Sequence, residues 1–266
     1  MRNWFPFLNS GPKVAVVRLT GMIASGNRGN ALNDAGLAPM IERAFRKGKP
    51  DAVALVINSP GGSPVQSSLI AARIRRLAAE KNVKVYAFTE DVAASGGYWL
   101  ACAADEIWID PSSIVGSIGV VYSGFGFQDL IARYGVERRV HTAGKSKSML
   151  DPFREEKPED IEKLKGWQDQ IHDSFIDYVK DRRGARLADE PDLFTGNVWI
   201  GEKAVDVGLA DGVGHLVPKM KDVFGEKVRF IPYAKKKGLF SRLSGQVADN
   251  ALGVMEERGL FARFGL

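Results

Sequence analysis

Residues 91–101, Asp91-Val-Ala-Ala-Ser95-Gly96-Gly97-Tyr98-Trp99-Leu100-Ala101, decide how this chain is read. They follow a strand-like run, Val83 to Phe88, and lead into a helix-like run from Tyr98 to Ala104. Ser95 stands at the turn between the two with two glycines directly after it. Backbone N–H groups there are open to a reacting carbonyl without Cβ interference. The turn also opens a helix, where developing negative charge is stabilised. Ser95 is therefore a candidate nucleophile beside an oxyanion hole. Taken alone, the plainer reading is a small-residue helix start with Ser95 as its N-cap.

A second turn of the same kind changes the balance. Val53-Ala-Leu-Val-Ile57 is a β-branched, uncharged run suited to a buried strand. It ends in Asn58-Ser-Pro-Gly61-Gly62-Ser-Pro64, and a helical pattern follows through Ser68 to Leu77. Two glycine-bearing strand-to-helix turns in successive βα units fall at the same edge of a parallel sheet. One can supply the nucleophile and an N–H from Gly96. The other can supply a second N–H, from Gly61 or Gly62.

A serine nucleophile needs a base. The chain has three histidines, His141, His172 and His215. His172 falls in a charged helical stretch and reads as a surface residue, and none of the three has an acidic partner evident in sequence. The other class of base is a lysine made neutral by burial. Lys147, in the small-residue loop Thr142 to Pro152, is the candidate; the plainer reading is a solvated loop lysine.

Taken together these segments resemble the signal peptide peptidase A family of serine peptidases, relatives of the Clp protease and crotonase folds. The resemblance is carried by Asn58–Gly62, Ala93–Tyr98 with Ala103-Ala-Asp105, and Pro111 through Val115-Gly116-Ser117-Ile-Gly119-Val120. It continues through Gly144–Met149, Phe194-Thr-Gly196 and Ala204–Asp211, in order from about Lys13 to Leu216. It implies an α/β fold of stacked βα units with a helical arm, and peptide hydrolysis by a Ser-Lys dyad through an acyl-enzyme. Residue by residue, the nucleophile maps onto Ser95, the general base onto Lys147, and the serine that orients the lysine onto Ser117. The oxyanion hole falls on Gly61, Gly62 and Gly96. The expected substrates are remnant signal peptides or other unstructured hydrophobic segments, with no metal or organic cofactor. Other readings on the same fold are a crotonase-like acyl-CoA enzyme, a phage-type maturation protease and a non-catalytic scaffold.

Composition sets bounds around that expectation. At 266 residues and 45% hydrophobic the chain can bury one α/β core. The expected organisation is a single domain, with a core at about 13–216 and an extension over 217–266. A net charge of +5 suits contact with an anionic membrane surface. No nucleic-acid-binding motif accompanies it. A single cysteine, Cys102, excludes an intrachain disulfide framework and sits in an apolar run where it packs. No window approaches the roughly 20 apolar residues of a spanning helix, and the N-terminal residues lack a signal-peptide core. The expected placement is cytoplasmic, with peripheral contact at the inner membrane as an extension of it.

Strands are expected at Val14–Leu19, Val53–Ile57, Val83–Phe88, Glu106–Ile109 and Val136–His141. A helix is expected from Gln128 to Tyr134. Between Pro158 and Arg183 the spacing of Ile161, Leu164, Trp167, Ile171, Phe175 and Val179 predicts one amphipathic helix. Val228–Tyr233 reads as an edge strand, because Pro232 would interrupt a central one. The basic, apolar-interleaved stretch Lys235–Leu243 and the amphipathic run from Val247 to Phe264 suggest docking on another subunit or on a lipid surface. Because longer relatives pair serine and lysine from two copies of the fold, this single copy is expected to form a homo-oligomeric ring with dyads shared between subunits.

Overall fold

The structure is a computed structural model, and it describes residues 11–26, 31–144, 146–234 and 258–266. The basic stretch 235–243 and most of the run from Val247 lie outside the described residues.

The first half of the chain is a succession of parallel strands and crossover helices. These are β1 (Lys13–Thr20), α1 (Asp34–Arg46), β2 (Ala52–Ser59), α2 (Pro64–Lys81) and β3 (Lys84–Ala94). Both helices begin where local chemistry starts them. Asn33 Oδ1 accepts the Gly36 N–H at 2.8 Å ahead of α1, and Ser63 caps α2, whose first residue is Pro64. α2 stops at Asn82, which adopts the left-handed conformation that ends helices. β2 is central and buried along nearly its whole length, which is why its sequence is an unbroken apolar run.

β3 is longer than expected, and its length positions the site. Its first half pairs in parallel with β4 (Glu106–Ile109) and its last three residues pair with β5 (Ile114–Gly116). Against β2 the register jumps between Ile57 and Ser59, where extra residues of β3 bulge out. The strand thus serves two neighbours in turn and delivers Ser95, directly ahead of α3 (Gly96–Ala101), beside the end of β2.

The chain then leaves the sheet through residues 120–157, which hold α4 (Gln128–Arg133), and returns along the long helix α5 (Pro158–Arg183). The last elements are β6 (Val198–Ile200), α6 (Glu202–Asp206), β7 (Gly212–Val213), α7 (Leu216–Phe224) and β8 (Arg229–Tyr233). The main path of the sheet runs β6-β5-β3-β2-β1-β8, with β4 pairing β3 and β7. β8 is parallel to β1 at the edge, where Pro232 leaves no central ladder short of a donor. One face of the sheet packs against α1, α2 and α3; the other forms a smaller cluster with Met220 and Phe224 of α7. This is the α/β architecture of the Clp protease and crotonase type.

Two expectations change. Val136–His141 forms no strand; it is an exposed, unpaired segment after α4. α5 has the predicted bounds, but only the C-terminal half of its stripe, Phe175 and Val179, is buried. Trp167 and Ile171 stay exposed. Trp99 of α3 stacks on Phe175 and Tyr178, with ring centroids 4.6 and 5.2 Å apart. Arg182 donates to the Cys102 and Ala104 carbonyls at the end of α3. Cys102 is fully buried, and that burial pushes its thiol pKa up to about 12. Among the described residues, no helix is long and apolar enough to cross a membrane.

Candidate active site

Ser95 occupies a strained backbone conformation, with φ +52° and ψ −122°. A side chain persists in such a region only when its surroundings over-determine it, at a cost of about 1–3 kcal/mol. The restraints are visible. The Ser95 N–H donates to Gly116 O at 2.8 Å, continuing the β3–β5 ladder, while Ser95 O accepts from the N–H groups of Tyr98 and Trp99 as α3 begins. The hydroxyl is therefore presented on a sharp strand-to-helix turn and stays half-exposed.

The β2–α2 turn is pressed against it. A Cβ on Gly61 would lie 2.8 Å from both the Gly96 nitrogen and Ser95 Cβ, and one on Gly96 would overlap Ser67 Oγ. Only glycine permits the two turns to approach this closely. The β2–α2 turn is strapped by the residues after β1. Ile23 N–H donates to Gly61 O and Ser63 N–H donates to Ile23 O, both at 2.8 Å. Buried Ser59 donates to Gly21 O at 2.7 Å and accepts the Gly61 N–H at 3.3 Å. Gly61 thus directs its N–H inward. The Ile23–Gly62 bridge does not use the Gly62 N–H, and the Gly96 N–H, first in α3, has no partner within its helix.

These residues line a cleft of about 520 Å³. Its walls include Pro60, Gly62, Ser95, Ser117, Val120 and His172. Ser117 is half-exposed at φ +51°, in a turn held by its own N–H to Asn197 O at 2.7 Å. Leu260, Arg263 and Phe264, from the described C-terminal stretch, border the same cleft.

Lys147 stands elsewhere. It is exposed, in a turn spanning 146–150, and does not line the cleft. Its loop is tied to α5 by Lys163 Nζ donating to Ser146 Oγ at 3.1 Å. The surrounding segment is apolar yet exposed, with Phe125 at 80% and Tyr134 at 74% exposure. One chain therefore gathers Ser95, Ser117, Gly61, Gly62 and Gly96, and leaves Lys147 apart.

The histidines also differ from expectation. His172 is not a plain surface residue: it is half-buried, lines the cleft, and places Nε2 3.0 Å from Ile118 O. His215 does have an acidic partner, Asp110, at 2.8 Å, and this hydrogen bond, with one from the Ser112 N–H, lowers the Asp110 pKa. That pair borders a separate groove with Phe88 and Val217, away from Ser95. His141 is exposed. No signal in the linear sequence marked His172, because its partner is a backbone carbonyl far away in the chain.

Comparison with known proteins identifies the family of the chain. Residues 77–222 match the model of peptidase family S49, and the chain belongs to that family, the signal peptide peptidase A family. It is 48% identical over 96% of its length to a protein of Brucella melitensis named Na(+)/H(+) antiporter NhaA, and spans 37% of that relative. It is 29% identical to a putative protease of Synechocystis, over 92% of this chain and 89% of the relative. To the probable protease SohB of Haemophilus influenzae it is 30% identical, over 77% of this chain and 58% of the relative.

Proposed function

We propose that this chain is a serine endopeptidase in which Ser95 is the nucleophile and Lys147 the general base. The observation that carries the proposal is Ser95 itself, held at a strained strand-to-helix turn in a cleft shared with Ser117 and Gly62. Ser95 Oγ attacks the scissile carbonyl as Lys147 Nζ takes its proton. Lys147 returns that proton to the leaving amine as the C–N bond breaks, then deprotonates the water that opens the acyl-enzyme. Gly62 and Gly96 hold the oxyanion, since the Gly61 N–H is committed to Ser59. Each such donor contributes about 3–4 kcal/mol to the transition state. Ser117 orients the lysine. Membership of a peptidase family favours this chemistry over the acyl-CoA reading.

The lysine comes from a neighbouring subunit in a homo-oligomeric ring. Lys147 lies off the cleft of its own chain, on a segment whose exposed Val121, Phe125, Leu130 and Tyr134 call for a covering surface. Exposed Trp167 and Ile171 on α5 extend the apolar area. The substrates are unstructured hydrophobic peptides, remnant signal peptides among them. The seating of Leu260 and Phe264 at the cleft supports a site that accepts apolar side chains.

A fluorophosphonate probe tests the nucleophile. Covalent labelling of Ser95, lost together with peptide hydrolysis in Ser95→Ala, is the expected result. Wild-type turnover in folded Ser95→Ala would end the proposal.

A further inference from the structure

We infer that His172 is a positioning residue for this site: its Nε2–H clamps the turn that carries Ser117. The inference rests on the Ser95–Lys147 reading and adds a residue that neither motif nor spacing marks.

A carbonyl oxygen only accepts, so Nε2, 3.0 Å from Ile118 O, carries the hydrogen of this contact. Nε2 is thereby committed as a donor to the turn. The turn it grips needs restraint. Gly116 and Ser117 adopt successive positive φ values of +104° and +51°, and Ile118 beside them is fully buried. Two of the restraints are backbone hydrogen bonds, Ser95 N–H to Gly116 O at 2.8 Å and Ser117 N–H to Asn197 O at 2.7 Å. The third is the His172 side chain.

Its helix gives that contact reach. About one and two turns further along α5, Phe175 and Tyr178 stack on Trp99, four residues after the nucleophile. α5 is thus a rigid brace: Phe175 and Tyr178 grip the helix that follows Ser95, and His172 grips the turn bearing Ser117. Losing the imidazole donor leaves the Ile118 carbonyl without its side-chain partner and frees Ser117 to shift within the cleft. A displacement on the scale of 1 Å in such a group costs about 10²-fold in rate.

The test measures kcat and KM for a hydrophobic peptide, with Ser95 labelling and thermal midpoint alongside, in full-length protein. His172→Leu keeps comparable bulk and removes the donor; kcat is expected to fall about 10²-fold with KM and the thermal midpoint close to wild type. His172→Gln, whose amide N–H extends to a similar position, is expected to restore most of the loss. A merely structural contribution would lower the midpoint and would not separate Leu from Gln in kcat. If His172→Leu does not fold, the His172→Gln and His172→Glu pair poses the same question with one side-chain shape, only the amide donating. Normal turnover in His172→Leu, or a glutamine variant no better than the leucine or glutamate one, overturns the assignment. Hydrolysis surviving Ser95→Ala would instead defeat the nucleophile reading, so the two failures are distinguishable.

Discussion

The Ser95 N–H donates to the Gly116 carbonyl at 2.8 Å, so the residue that carries the hydroxyl and the turn that carries Ser117 share one hydrogen bond. The same bond ends the β3–β5 ladder, at the Ala94–Gly116 pair. Backbone strain at Ser95 and at Ser117 is therefore held by one sheet edge, and the consequences can be measured.

Strain at the nucleophile predicts a stability–activity trade. Ser95→Ala and Ser95→Gly both remove the hydroxyl, and both are expected to lose peptide hydrolysis. Only glycine relaxes the backbone at φ +52°. Its variant should be more stable than the alanine variant by about 1 kcal/mol, the strain relieved less the extra freedom glycine gains when unfolded. Chemical denaturation of the two proteins checks this; equal midpoints would show that the conformation is not strained.

Sharing of the dyad predicts complementation. Ser95→Ala and Lys147→Ala proteins should each be inactive, and Lys147→Arg should also fail because guanidinium keeps its proton. An equimolar mixture of the two alanine variants, after subunit exchange, should regain about a quarter of wild-type activity, since a working site draws each residue from a different variant at random. Exchange verified by mass spectrometry without any returning activity would place both groups in one chain.

Asp211 predicts an acid limb of stability. Burial would raise its pKa, but hydrogen bonds from Arg183, the Ile107 N–H and Arg186 outweigh that and hold it below the usual carboxylate range. A depressed carboxylate stabilises the fold above its unfolded pKa, about 3.9, and the contribution is lost as pH falls through the folded value. Asp211→Asn strands buried Arg183 and is expected to cost about 3–5 kcal/mol at neutral pH. The gap between variant and wild type in thermal midpoint should narrow below pH ~4. A gap independent of pH would show that the ion pair is not its source.

Much of this molecule was legible along the chain because it depends on neighbours in sequence. Glycines at 61, 62, 96 and 97 announced two tight strand-to-helix turns, since only residues without Cβ let such turns touch. The helix from Pro158 to Arg183 followed from its apolar period, and Pro232 placed β8 at an edge for want of a donor. These are local constraints of sterics and hydrogen bonding. The double pairing of β3 was not legible, because the bulge that splits it is dictated by β2, β4 and β5 together. Val136–His141 has a strand's composition but finds no partner strand, and a strand exists only as a paired object. The same reason separates the two basic groups. Lys147 was marked by its motif, yet whether it meets Ser95 depends on how the exposed segment around it is covered. His172 looked like one more polar residue on a charged helix until packing on Trp99 brought it to the Ile118 carbonyl.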